Sequence, residues 1–273
     1  MYQELDVDKV RAAGPAMLHS ATELPRVLME LASLTWAWPL LARARRGDGH
    51  SVLVLPGFTA GDESTLILRR VLDAAGYQSV PWALGQNTGS LDLQEQLFHR
   101  FDSLTRDCDR KMSIVGQSLG GVFARELARQ WPERVRQVIA LGSPFASSGP
   151  ETTNGLVSRL FQYLSGMTQE QMRDRMLGFA PEPPPVPSTA IYSKADGVVH
   201  WSSCLEYQGQ QSENIEVHGS HTGMAMNPLV LHVLLDRLAL PDGAWRPFRR
   251  DRGCRAFLYP TPEPLTEVTT CAS

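Results

Sequence analysis

Cysteine is scarce. Cys108, Cys204, Cys254 and Cys271 are the four in 273 residues, far apart and without metal-ligand spacing. That spacing excludes a disulfide framework and a cysteine metal site, so reduced thiols are expected, with only a Cys254–Cys271 bond left open. An excess of one charge is also missing: 26 Lys and Arg stand against 29 Asp and Glu, a net charge of −3, with both signs interspersed. A nucleic-acid partner held through its phosphates is therefore not expected. The basic clusters Arg43-Ala44-Arg45-Arg46 and residues 246–255 read as solvated surface. A membrane-spanning run is absent as well. The nearest candidate, residues 27–41, is interrupted by Glu30 and falls short of the ~20 residues a span requires. It reads as an apolar helix packed on the domain, the alternative being peripheral membrane contact through Trp36, Trp38 and the arginines that follow. The chain opens Met1-Tyr2-Gln3-Glu4-Leu5-Asp6, acidic where a secretory signal is basic, so a cytoplasmic location is expected.

What is present is a chain long and apolar enough, at 42% hydrophobic residues, for one sizeable core with or without an inserted subdomain. Residues 1–48 read as an N-terminal helical segment with no catalytic residue. Short apolar runs then alternate with segments of helical period. Strands are predicted at 51–55, 77–82, 111–115 and 135–141, separated by a helix carrying Leu66, Leu68, Val71 and Leu72 and by helices at 92–106 and 119–130. This alternation predicts an α/β fold, a mostly parallel sheet with helices on both faces and catalytic groups in the loops at the carboxyl ends of its strands. The rhythm breaks at 146–187, where Leu156, Val157, Leu160, Phe161 and Leu164 have helical spacing and five prolines crowd residues 181–187. An inserted helical cap is expected there, its Leu, Phe and Met side chains suited to a greasy substrate. The core, 49–145, resumes at 188–240 with strands at 189–193 and 214–217 and a helix from Pro228; 241–273 is a C-terminal extension.

The chemistry centres on Gly116-Gln117-Ser118-Leu119-Gly120, set between a predicted strand and a predicted helix. A serine on so sharp a turn presents its hydroxyl above the sheet at a helix N-terminus, and the flanking glycines spare the turn a clash. A serine hydroxyl is a weak nucleophile at neutral pH, so acyl transfer needs a base within hydrogen-bonding reach and an acid that orients the base. On this scaffold acid and then histidine follow the serine in chain order. Asp196, in the loop after strand 189–193, fills the acid position, although Asp196-Gly197 also suits a plain turn. Of seven histidines, His19, His50 and His99 precede the serine, His200 follows the acid too closely, and His232 sits inside the last helix. His218 ends a strand. His221, in Gly219-Ser220-His221-Thr222-Gly223, is left as the base, on a loop whose glycines let it fold toward the serine. Two backbone donors must hold the oxyanion, and the amides of Leu119 and of Phe58, in Pro56-Gly57-Phe58, are the candidates.

Together these residues resemble the α/β-hydrolase superfamily, in its lipase and esterase branch, from about His50 to Leu240. The chain is similar to a group of bacterial hydrolases with a Leu-Pro-Gly-Phe loop (55–58), a Leu-Gly-x-Asn-x-Gly stretch (84–89) and a Gly-Ser-His end (219–221). Lipases often carry histidine before the oxyanion glycine, and this chain has Pro56. The resemblance implies a serine carboxylic-ester hydrolase acting on a small-molecule ester or lipid, without metal or cofactor. An acyltransferase or thioesterase with the same triad, and a binding protein on the same scaffold, stay open, as does the oligomeric state. Asn87 reads equally as a substrate contact or a loop anchor.

Overall fold

The computed structural model describes residues 15–41, 47–146, 163–165, 182–207, 209–251 and 255–262. Most of the predicted cap, the cysteines at 254 and 271, and residues 252–254 and 263–273 of the C-terminal extension lie outside the described residues. Six strands form one parallel sheet: β1 (Ser51–Leu55), β2 (Gln78–Pro81), β3 (Met112–Gln117), β4 (Val135–Leu141), β5 (Ser188–Tyr192) and β6 (Ser212–Glu216), in the order β2-β1-β3-β4-β5-β6. Residues 52–55 of β1 are apolar without alternation because both faces of the sheet are covered there, whereas the edge strands β2 and β6 carry Gln78, Ser79, Glu213, Asn214 and Glu216. Val52 and Val54 of β1 join one core cluster with Val115, Ile139 and Ile191, while Leu53 and Leu55 join the opposite one with Ile114, Val138 and Ala190. The period of two thus decides which layer each side chain fills, even though every position is apolar.

On the first face lie α2 (Glu23–Leu41), α3 (Leu66–Ala74) and α6 (Pro228–Leu238), through Leu34, Leu68, Leu72, Val230 and Leu234. On the second lie α4 (Leu91–Thr105) and α5 (Leu119–Gln130), through Leu97, Phe101, Val122, Phe123 and Leu127. Local signals set the helix starts. Ser90 Oγ accepts from Leu93 N at 3.3 Å, and the Asn227 side chain accepts from Leu229 N at 2.9 Å ahead of Pro228. A short helix, α1 (Met17–Ala21), precedes α2, and a further one, α7 (Arg255–Leu258), follows the core.

The expectation of an apolar helix packed on the domain holds for only one stripe of α2. Glu30, Leu34 and Leu41 are buried, whereas Leu24, Leu28, Met29, Trp36 and Trp38 face outward. Among the described residues no helix is long and apolar enough to cross a membrane. Strand β3 also runs two residues past the predicted end, through Gly116 and Gln117, so the reversal in chain direction is compressed into Ser118.

Candidate active site

The strand order reverses at β1, with β2 on one side and β3 on the other, and the carboxyl ends of β1 and β3 lie side by side at that switch point, the place where open parallel sheets bind ligands. Ser118 sits there, between β3 and α5, at φ 51° and ψ −122°. That left-handed backbone is strained for a residue with a Cβ. Packing enforces it. Ser118 N donates to Leu141 O at 2.8 Å, and Gly121 N donates to Ser118 O at 3.0 Å. A Cβ on Gly116 would lie 2.3 Å from the Gly120 carbonyl, and one on Gly120 would lie 2.5 Å from Leu55 O. Both glycines are therefore demanded by backbone approaching backbone. Leu119 opens α5, so its N–H lacks an intrahelical acceptor and points outward with the helix dipole.

The first oxyanion candidate loop is held from an unexpected side. Asn87 is fully buried; its Nδ2 donates to Pro56 O at 3.0 Å, its backbone O accepts from Thr59 N at 2.8 Å and its N donates to Ala60 O at 2.9 Å. Asn87 is thus a loop anchor, fastening residues 56–60 on both sides of Phe58. Gly57 brings that loop against the serine, since a Cβ there would stand 3.3 Å from Ser118 Cβ.

Asp196 and His221 leave the carboxyl ends of β5 and β6 and meet at 2.6 Å between Oδ2 and Nδ1. The other carboxylate oxygen accepts from Val198 N and Val199 N, each at 2.8 Å. Both residues are buried. Gly142, at φ +54°, lies beneath them: a Cβ there would be 3.1 Å from His221 Nδ1 and 3.3 Å from Asp196 Oδ2. Because Leu141, one residue earlier, holds Ser118 N, the carboxyl end of β4 is the floor shared by all three residues. Gln117, next to the serine, donates from Nε2 to His221 O at 3.0 Å. Among the described residues no hydrogen bond joins Ser118 Oγ to His221. Burial alone would push the His221 imidazole down, but the Asp196 charge and hydrogen bond, with the more distant Glu23 charge, raise it above 6.5.

The rejected histidines have other partners. His232 contacts Tyr259 Oη at 2.6 Å, His200 accepts from Ser202 N as the cap of the short 3-10 helix Trp201–Cys204, and His218 is exposed at the end of β6. His50 builds a second Ser–His–Asp chain: Nδ1 lies 2.5 Å from Asp48 Oδ1 and Nε2 lies 2.8 Å from Ser113 Oγ. Ser113 is fully buried near the amino end of β3, beyond the reach of a substrate, so this chain satisfies polar groups and nothing more.

No family model matches the sequence. Solved structures do match. A monoacylglycerol lipase from Paleococcus ferrophilus superposes with a TM-score of 0.51 at 15% identity, covering 71% of this chain and 96% of its own. Lipase B from Aspergillus fumigatus gives 0.58 at 18%, over 77% of this chain and 56% of that one, and a pyrethroid hydrolase gives 0.51 at 16%, over 71% and 99%. This is the α/β-hydrolase fold. At such identities the likeness extends to the scaffold, and the chemistry has to be argued from the side chains.

Within the α/β-hydrolase fold, the structure brings Asp196 and His221 together and sets Ser118 and Leu119 beside them, with Phe58 on the facing loop. Residues that the sequence leaves unmarked also reach this site. Glu23, Arg26 and Glu30 of α2 all bond to the loops of Asp196 and His221. The one available signal was Glu30, a carboxylate in the middle of an otherwise apolar helical run.

Proposed function

We propose that the protein is a serine carboxylic-ester hydrolase acting on a small-molecule ester or lipid with an apolar acyl group. The observation that carries this reading is the strained Ser118 at a helix N-terminus, with the Asp196–His221 pair folded over the same strand end. In the mechanism, Ser118 Oγ attacks the acyl carbon as its proton passes to His221 Nε2. The oxyanion is held by the amides of Phe58 and Leu119. Collapse expels the alcohol, which takes the proton from His221, and leaves an acyl-enzyme. His221 then removes a proton from water as the water oxygen attacks the acyl carbon, and returns it to Ser118 Oγ on release of the acid. Asp196 keeps the hydrogen on Nδ1 and stabilises the imidazolium formed in each half-reaction.

Supporting a lipid substrate is the outer face of α1 and α2, where Met17, Leu18, Leu28, Met29 and Trp36 are exposed, with Arg43, Arg45 and Arg46 next in sequence. Such a face suits peripheral contact with an anionic bilayer. Flotation with phosphatidylglycerol vesicles should carry the protein, and Trp36→Ser should weaken that; flotation unaffected by the substitution removes this element of the reading.

The decisive experiment is hydrolysis of p-nitrophenyl esters from acetate to palmitate by wild type and Ser118→Ala, with fluorophosphonate labelling in parallel. Turnover confined to wild type, with kcat lost by several orders of magnitude in the folded variant, is expected. Comparable turnover by Ser118→Ala overturns the mechanism. Ester product formed from an added alcohol identifies an acyltransferase instead, and absence of both turnover and labelling identifies a non-catalytic scaffold.

A further inference from the structure

The loops of Asp196 and His221 are fastened, residue by residue, to the N-terminal helices. On the acid side, Ser20 Oγ of α1 donates to Gly197 O at 2.6 Å, and Arg26 Nη1 of α2 donates to Ala195 O at 2.5 Å. The same Nη1 donates to Gly219 O at 3.1 Å, so one guanidinium ties the two loops together. On the base side, Glu23 Oε1 accepts from Thr222 N at 2.8 Å while its other oxygen pairs with Arg26 at 2.9 Å. Glu30 Oε1 accepts from Ser220 N at 2.7 Å and Asn227 Nδ2 at 3.1 Å, and Oε2 accepts from Ser220 Oγ. Both chain neighbours of Asp196 and both of His221 are thus held by α1 and α2.

Glycine placement records the same requirement. A Cβ on Gly219 would lie 2.7 Å from Glu30 Oε1, one on Gly223 1.6 Å from Glu30 Oε2, and one on Gly197 2.4 Å from His19 O. Gly197 admits the backbone of α1, and Gly219 and Gly223 admit the Glu30 carboxylate. Glu30 is itself buried, and burying a carboxylate is costly unless donors replace its water. All its donors come from Ser220 and Asn227, the residues before and after the histidine turn. An apolar side chain would pack α2 equally well but would not define the direction of the Ser220 N–H.

We propose that α1 and α2 form a bracket that positions the Asp196–His221 pair, with Glu30 and Arg26 as its principal positioning residues. The proposal rests on the reading of Asp196 and His221 as acid and base. Loss of one anchor leaves the fold in place and lets the imidazole drift from its catalytic geometry, for which a displacement of about 1 Å can lower turnover on the order of a hundredfold.

The test uses the full chain and compares Glu30→Gln and Arg26→Met with Thr35→Ala, an exposed position on the same helix. The primary readout is the low-field proton resonance of His221 Nδ1–H, assigned by its loss in His221→Ala; kcat and KM on p-nitrophenyl butyrate and the circular dichroism spectrum accompany it. Glu30→Gln and Arg26→Met should each displace or abolish the resonance and lower kcat on the order of tenfold to a hundredfold, with KM within about twofold. Thr35→Ala should leave all of these in place. An unshifted resonance and unchanged kcat in either folded anchor variant overturn the bracket, as does an equal loss in Thr35→Ala. Should Glu30→Gln fail to fold, Arg26→Met decides alone. If wild type neither hydrolyses esters nor labels, the proposed function fails while the resonance still decides the bracket.

Discussion

Asp196→Asn alters the chemistry at one atom while leaving its loop nearly intact. Asp196 Oδ1 accepts two backbone N–H groups at 2.8 Å, and Oδ2 faces His221 Nδ1 at 2.6 Å. An amide with its nitrogen on the Oδ1 side would aim donors at the N–H groups of Val198 and Val199. Its oxygen must therefore take the Oδ1 place, and its NH2 must confront Nδ1. The imidazole responds by turning Nδ1 into an acceptor and carrying its hydrogen on Nε2, the tautomer that cannot receive the serine proton. A loss of about 10⁴-fold in kcat is expected. That is about 5.5 kcal/mol of transition-state stabilisation at 1.36 kcal/mol per factor of ten. Both loop hydrogen bonds survive, so unfolding free energy should change by only about 1 kcal/mol. Steady-state kinetics on p-nitrophenyl butyrate and urea denaturation of the same preparations separate the two quantities. A folded Asp196→Asn with kcat within about tenfold of wild type would refute the tautomer argument and the acid role together.

Three further outcomes can be checked. In the proposed mechanism His221 is the base only when neutral, and against burial Asp196 and Glu23 raise its imidazole above 6.5, so kcat/KM should fall with decreasing pH through a midpoint above 6.5, and Glu23→Gln should lower that midpoint. An acid limb at or below 6.5 in wild type overturns the raised imidazole, and a profile with no acid limb through the histidine range excludes His221 from the role. Gly116→Ala places a methyl 2.3 Å from the Gly120 backbone, a clash that no rotamer relieves, and should destabilise the protein by about 3 kcal/mol or more; an unshifted Tm counts against the compressed turn. Asn87→Ala strips Pro56 O of its donor and loosens the Phe58 loop, so kcat should fall about tenfold or more with little change in KM. A rise in KM alone would mark Asn87 as a substrate contact instead.

Much of the framework is readable from the chain because it is local. The strands announce themselves as short apolar runs, and the helices by their period of 3.6. Ser118 is marked by glycines two residues to either side, and Asp196 and His221 by their places after predicted strands. Strand β3 ends two residues later than its apolar run because Gly116 and Gln117 continue the ladder to β4 without apolar side chains. The direction of α2 was less legible, since its polar stripe of Glu23, Arg26 and Glu30 faces inward while Leu, Met and Trp side chains face out. Asn87 was ambiguous for a related reason: its partners, Pro56, Thr59 and Ala60, lie about 30 residues earlier, and sequence does not print that distance in space.

By itself, then, the sequence determined the α/β layering, the serine turn and the order of serine, acid and histidine, because each depends on spacing within a few residues or on the order of elements. Only the tertiary structure decided what holds them. Arg26 meets Ala195 and Gly219, and Glu30 meets Ser220, across separations of more than 160 positions. No periodicity spans such a gap. The reason for Gly197, Gly219 and Gly223 is likewise tertiary, since Gly197 is small to admit the backbone of α1 and the other two to admit the Glu30 side chain. Hydrogen-bond geometry between distant segments comes into being only when the sheet has set its strand ends side by side, and at that point Glu30, an interruption in an apolar run, becomes a buried acceptor beside the histidine turn.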